Sequence, residues 1–570
     1  MSKDVIFGCG LVDFHHTRGP EVEYWYDGGN TGLSINNLWE YLPFQALPDG
    51  AHSFEQSFTY FTLLYDEVNQ KCCSSVGDSL KNGAESGRYS TFFAISCSKQ
   101  IQSDELLNKS KDVVRSTVQK SVVVVCRKPI VGQIKDKLAI ITNALFLQRD
   151  FSDRTIIDTL FSNLNSIEYD DNDESHLYIG LNLRKMIYDL RKDVLVILKA
   201  MLLEKRILFY GNDVEQLCNI QFSFISLIPC LLSNIQDCGS PLLDTYSKNI
   251  TMKSSFKSSD RISVLRFLGF PLQIFTKGGF FSPYVPLQQI NDLSSSVTRW
   301  FIAGTSNTLL LEQSKSLCDV LVNLDDFTVQ IMNKKDKELH QALQLSHSDK
   351  KWMDIIIQSV IKSWNQDDWS TPKNSSYEGS EDYIRWQFED YLSGLVLTVK
   401  LLDFTKKHKN NALVLKTVDD LATTEQTINQ YNSTWVREWQ HTNNYRIFTD
   451  YTDDRLFDVF DSRHPYRGSD TMAIVQQRFN KLFPRREKGD DRHKGRNQDN
   501  ENINKYNAKE HNKAAWFKKK DKKGVSGENN SNIITASEMS TINDSVGASN
   551  QADKSLYSDM SEELVENPWK

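Results

Sequence analysis

The sequence predicts a mixed α/β fold, α+β over the whole chain, arranged as successive lobes followed by a charged tail. Three observations carry this. Strand-like runs bounded by turn residues open the chain, helix and strand signals alternate through its middle, and aromatic residues recur at helical spacing from Trp352 onward. At 570 residues the chain exceeds a single core, so roughly three or four folded units are expected. Its 39% hydrophobic and 25% charged content is ordinary for a globular protein.

Val5–Phe14 and Glu21–Tyr26 are strand-like and joined by the turn-rich His15–Pro20, which predicts a hairpin. Pro43 and Pro48 are expected to forbid a regular helix or strand in Tyr41–His52, where Pro48-Asp49-Gly50 is a strong turn signal. The bland role for Asp49 is to cap that turn's own backbone. Ser57–Leu64 and Tyr89–Ser98 read as further strands. Between them, residues 69–87 are rich in Ser, Gly and Asn, which predicts a disordered loop. The β-branched run Val122–Cys126 predicts a central strand. Ile134, Leu138, Ile141 and Leu145 then mark one helical face, and Arg154–Leu164 a second helix. Residues 1–165 therefore read as a meander of strands backed by helices, with an acidic linker at Glu168–Glu174.

Residues 177–332 form the next unit, centred on Lys192–Gly211. Val194–Leu203 is apolar on every side except at Lys199, which predicts a helix buried nearly all round. After Glu204-Lys205-Arg206, Ile207–Tyr210 reads as a buried strand closed by Gly211. A buried helix near Gln216–Leu232 and a polar loop near Tyr246–Asp260 follow, then strands near Ser263–Phe267, Leu272–Phe275 and Thr308–Leu311. Residues 335–483 read as helical. Trp352, Ile355, Ile356, Val360 and Trp364 form one stripe, and Ile384, Phe388, Tyr391, Leu395, Val399 and Leu402 another. Trp435 and Trp439 complete a third, and tryptophans at this spacing predict core packing. Residues 485–570 hold too few aliphatics to offset their ordering entropy, so disorder is expected. Arg485–Lys523 is basic on balance and Glu528–Glu566 acidic.

The chemistry is bounded mainly by what is missing. A net charge of −7 argues against a nucleic-acid binder. Nine cysteines without a C-x-x-C pair predict free thiols in a reducing cytosol. No secretory signal is visible, and no apolar window reaches the roughly 20 residues needed for a transmembrane helix. There is no P-loop, H-E-x-x-H, G-x-S-x-G or kinase signature. Gly8-Cys9-Gly10 is followed by Asp13 where a dinucleotide fingerprint needs glycine. His15 and His16, adjacent on a strand, point to opposite faces, a poor arrangement for a metal. No catalytic residue, metal or cofactor is expected. In the tail, Trp516 and Phe517 stand beside Lys518, Lys519 and Lys520. Such a segment settles on an anionic membrane, gaining about 1 kcal/mol per basic residue; a solvated charge run is the alternative.

Several stretches in order carry a resemblance. They are Val12-Asp13-Phe14-His15-His16-Thr17-Arg18-Gly19-Pro20-Glu21-Val22-Glu23, Tyr41-Leu42-Pro43-Phe44, Leu47–His52 and Thr117–Val122. Leu203–Tyr210, Ile274–Gly278, Thr442–Arg446 and His464–Gly468 continue the set. Together they are similar to the Avl branch of the DENN-domain superfamily, proteins of the late secretory pathway. The resemblance implies a longin-like N-terminal lobe at 1–165, a central α/β DENN lobe at 177–332 and a helical C-terminal region at 335–483. It implies exocytic transport from Golgi to plasma membrane by a cytoplasmic protein associated peripherally with Golgi or secretory vesicles. The implied partner is a Rab-type small GTPase gripped between the lobes, with guanine-nucleotide exchange as the activity. The alternative is a non-catalytic effector or adaptor. Exchange breaks no covalent bond, and a thousandfold acceleration needs about 4 kcal/mol of differential binding. An ordinary protein interface supplies that. Pro48, Asp49, Gly50 and His52 in the turn are the expected partner-facing residues, with Glu204, Lys205 and Arg206 at the helix–strand junction. Charge reversal at that trio is expected to leave folding intact.

Overall fold

Strand β1 (Ile6–His15) turns back through the left-handed Gly19 into β2 (Gly19–Tyr26), forming the expected antiparallel hairpin. In this computed structural model the described residues are 4–74, 88–108, 115–169, 174–366, 368–411 and 421–466. β3 (Gln56–Asp66), β4 (Lys71–Cys73), β5 (Tyr89–Gln102) and β6 (Thr117–Cys126) complete a six-stranded antiparallel sheet. Its order, β2-β1-β6-β5-β3-β4, is not a plain meander, because β6 returns beside β1. β6 is central, and its run from Val122 to Cys126 is fully buried because both sheet faces are covered. Helices Val131–Leu147 and Thr155–Asn165 pack on one face. Trp39, Leu42, Ala46 and Leu47 cover the other.

Two expectations fail in this first unit. Lys71–Cys73, inside the segment read as loop, pairs with β3, and Cys72 and Cys73 are buried there. Residues 75–87 lie outside the described residues. Pro43 does not exclude a helix: Leu42–Ala46 forms one short turn of it. Proline is tolerated in a first turn, where its missing N–H would have no helical partner.

The second sheet has the order β11-β10-β7-β9-β8. Its strands are β7 (Ile207–Tyr210), β8 (Gly279–Ser282), β9 (Trp300–Thr305), β10 (Val320–Asn323) and β11 (Thr328–Ile331), parallel except for β11. The helix Asp193–Leu202 precedes the central β7, and both are buried as the sequence predicts. Three strand expectations fail here. Ser263–Phe267 lies in the helix Arg261–Phe267, started by the Asp260 side chain, which accepts from the N–H groups of Ile262 and Ser263. Thr308–Leu311 lies in the helix Thr308–Glu312, capped in the same way by Asn307. Leu272–Phe275 is buried but irregular, its backbone held in part by the Gln273 side chain, which accepts from Phe275 N–H.

The C-terminal part is helical, as expected: His347–Lys362, Glu381–Lys407, Leu421–Gln430, Ser433–Trp439 and Asn443–Asp450. Trp352, Trp435 and Trp439 are all core, and the last two stack with ring centroids 5.7 Å apart. Gly394 lets the extended segment at Arg463 lie against the long helix: a Cβ there would meet the Arg463 carbonyl oxygen at 2.1 Å. All nine cysteines are buried. Among the described residues no helix is long and apolar enough to cross a membrane. The tail, including Trp516, Phe517, Lys518, Lys519 and Lys520, lies outside the described residues.

Candidate functional site

The Leu47–His52 turn is built by its glycine. Pro48 C=O accepts from Ala51 N–H at 3.2 Å, which puts Gly50 third in a four-residue turn, at φ 83° and ψ −2°. That conformation favours glycine strongly. The turn is then hooked onto the second sheet. Asp49 N–H donates to the Tyr284 hydroxyl at 3.0 Å, Ser306 Oγ donates to Asp49 C=O at 2.8 Å, and Asn307 Nδ2 donates to the Asp49 carboxylate at 2.6 Å. The carboxylate therefore reaches across the sheet junction instead of capping its own turn. Deeper in, Thr62 Oγ1 of β3 donates to Phe281 C=O of β8 at 2.6 Å, and Gln45 Nε2 donates to Gln289 Oε1 at 2.9 Å. A cavity of about 20 Å³ between Gln45, Thr62, Phe280 and Gln289 has room for one water and no ligand.

What this leaves at the surface is small and mixed. Asp49 and His52 are exposed, Pro48 is buried, and Leu309, two residues beyond Asn307, is 49% exposed. Tyr284, Ser306, Asn307 and Leu309 escaped the sequence reading. A signal existed, since Asn307 ahead of an apolar run is a helix-start pattern.

The second predicted trio divides. Glu204, half-buried and in a left-handed conformation at φ 52°, accepts from Asn444 N–H at 2.8 Å, Asn443 N–H at 3.2 Å and Asn444 Nδ2 at 3.1 Å. It thus caps the helix Asn443–Asp450, and burial pushes its carboxyl above the ordinary range. Asn444 Nδ2 also donates to Leu202 C=O at 2.8 Å, so the Thr442–Arg446 stretch fastens onto the helix–strand junction. Arg206 pairs with Asp319 at 2.8 Å, both partly exposed. Lys205 is half-buried.

The closest approach to a catalytic constellation is sealed. Lys199 Nζ lies 2.5 Å from Asp349 Oδ2, and Tyr391 OH donates to Asp349 Oδ1 at 2.8 Å. His464 Nε2 lies 3.3 Å from the same oxygen, and Lys199 also donates to Tyr431 C=O at 3.0 Å. None of Lys199, Asp349, Tyr391 or His464 is more than 1% exposed, so no substrate reaches them. The cluster clasps the His464 segment to three helices. Burial opposes the charge on Asp349, but Lys199 and His464 outweigh it and hold the carboxyl at about 2. Burial lowers the His464 pKa, with Asp349 pulling the other way. A histidine held below its unfolded value of about 6.5 contributes stability above that pH, which is lost as pH falls through it. The urea midpoint should therefore drop between about pH 7 and pH 5, and His464→Gln should flatten the drop. An equally steep profile in the variant would assign the effect elsewhere. Among the described residues no three His, Cys, Asp or Glu side chains converge on a metal-sized site.

Comparison with known proteins adds what geometry does not. Residues 6–399 match the family described as transport protein Avl9. The chain belongs to the Avl9 family. It is 56% identical over 483 residues to the late secretory pathway protein AVL9 of Saccharomyces cerevisiae, covering 84% of this chain. That alignment spans 63% of the S. cerevisiae protein, less than two thirds of its length. The late secretory pathway protein avl9 of Schizosaccharomyces pombe is 37% identical over 463 residues, covering 81% of this chain and 90% of its own. The Avl9 match takes in both sheets, the junction residues, Lys199 and Asp349; His464 lies beyond it.

Proposed function

We propose that this Avl9-family chain acts in the late secretory pathway, in exocytic transport from Golgi to plasma membrane. In this reading it engages a Rab-type small GTPase at the surface where the two sheets meet. The observation that carries the reading is the Asp49 hook. By binding Tyr284, Ser306 and Asn307, the turn fastens Asp49 of the first sheet's unit to the segment of the second that leads into the helix bearing the exposed Leu309. A partner gripping there contacts both lobes at once and needs no covalent chemistry, in keeping with the sealed Lys199 cluster. Pro48 and Gly50 set the turn's shape, while Lys205 and Arg206 offer a second contact. Peripheral attachment to Golgi or secretory vesicles from the cytoplasmic side completes the proposal, with Trp516, Phe517 and Lys518–Lys520 meeting anionic lipid.

Guanine-nucleotide exchange is the activity proposed. The test is release of labelled GDP from a panel of Rab-type GTPases, with and without the full chain. Acceleration of one member, reduced at least about tenfold by Asp49→Arg with Leu309→Asp, is the expected result. Tight binding of a GTP-loaded member with no acceleration of any would replace exchange by the effector or adaptor reading.

A further inference from the structure

β11 is the edge of the second sheet, and among the described residues no strand pairs with its outer side. Hydrogen-bond parity identifies the free groups. Leu324 N–H donates to Tyr210 C=O at 2.8 Å, so alternate residues of β10 face β7, and Leu321 and Asn323 face β11. Met332 N–H donates to Asp319 C=O at 2.9 Å, in the same parity. In the register Val320↔Ile331 and Leu321↔Gln330, the backbone groups of Thr328 and Gln330 are therefore spent on β10. Those of Val329 and Ile331 point away from the sheet, while their side chains remain packed on the core.

Alongside this edge runs an open groove of about 710 Å³, lined by Gln330, Ile331, Lys334, Lys337, His340 and Gln341. Its charge is one-sided. Asp336 is occupied as the cap of the helix Lys337–Leu343, and Glu338 pairs with Arg437. Among the described residues Lys334, Lys337 and His340 form no ion pair. Lysines standing on an edge strand commonly guard it against aggregation. These lie past the strand, and among the described residues no hydrogen bond occupies the outward backbone of Val329 and Ile331.

We propose that this groove docks an extended, acidic peptide segment of a partner protein. The segment adds as a strand along β11, exchanging hydrogen bonds with Val329 and Ile331, and sets carboxylates against Lys334, Lys337 and His340. Strand addition of this kind draws affinity from the backbone and selectivity from flanking side chains. The inference does not depend on the GTPase reading, whose Asp49 hook binds residues that follow β8 and β9; only the second contact of that reading, at Lys205 and Arg206, lies near β10.

Fluorescence anisotropy tests it, using the full chain and a labelled peptide of alternating glutamate and valine, about eight residues long. Saturable binding is expected. It should weaken at least about tenfold when lysine replaces glutamate in the peptide, and similarly in the Lys334→Glu/Lys337→Glu protein. A proline at the peptide's centre removes a ladder donor and should weaken binding at least about tenfold with its charge unchanged. Equal binding of the proline peptide would reduce the groove to a diffuse charge patch and overturn the proposal, as would no saturable binding. The proline comparison uses the unaltered protein, so it decides the matter even if the double variant does not fold. A peptide copying residues 552–566 that displaces the probe at lower concentration would make the chain's own acidic end the occupant, overturning the assignment to a partner.

Discussion

Lys199→Ala should destabilise the chain by about 3–5 kcal/mol, the cost of leaving a buried carboxylate without its cation. Asp349 has no route to water, and Tyr391 and His464 cannot replace a full charge. Lys199→Met combined with Asp349→Asn should recover much of the loss, because a buried pair contributes little net stability over well-packed neutral groups. Urea unfolding followed by tryptophan emission is a suitable measurement, since the ammonium sits 5.2 Å from the centroid of Trp435. A loss below about 1 kcal/mol would mean that water reaches the pair.

The second large effect is at Glu204. Glu204→Ala removes the acceptor of two backbone N–H groups and one amide, and should cost about 2–3 kcal/mol. Glu204→Gln should lose less, because its amide oxygen still accepts. Lys205→Glu with Arg206→Glu should cost under about 1 kcal/mol, since the Arg206–Asp319 pair is partly exposed. This replaces the expectation that the whole trio tolerates charge reversal. The same urea series decides it, and equal losses for the two changes would remove the distinction.

Periodicity made the scaffold legible. The β6 run, the helix before β7 and the tryptophan stripes are each fixed by burial of a continuous or helical apolar pattern. What misled was local and polar. Asp260 and Asn307 start helices in β-branched or leucine-rich stretches that otherwise read as strands, because a side-chain cap outweighs a weak propensity. Gly279–Ser282 forms a strand that escaped the sequence reading. At the junction, the Pro48-Asp49-Gly50 turn was readable but its acceptors were not: Tyr284 and Asn307 are more than 200 residues away. Lys199 stood out as the one interruption of an apolar run, a signal of a buried charge whose partner only the fold supplies.

The nine buried cysteines make the folded chain a blank background for thiol chemistry. Burial pushes the thiols of Cys9, Cys126, Cys218 and Cys238 up, further from the reactive thiolate. A maleimide dye therefore attaches where a cysteine is introduced, at Gln330 in the groove or Leu309 at the junction, and nowhere else while the fold holds. By the same logic, slow labelling of the unaltered protein counts opening events, turning each native thiol into a clock for the element around it.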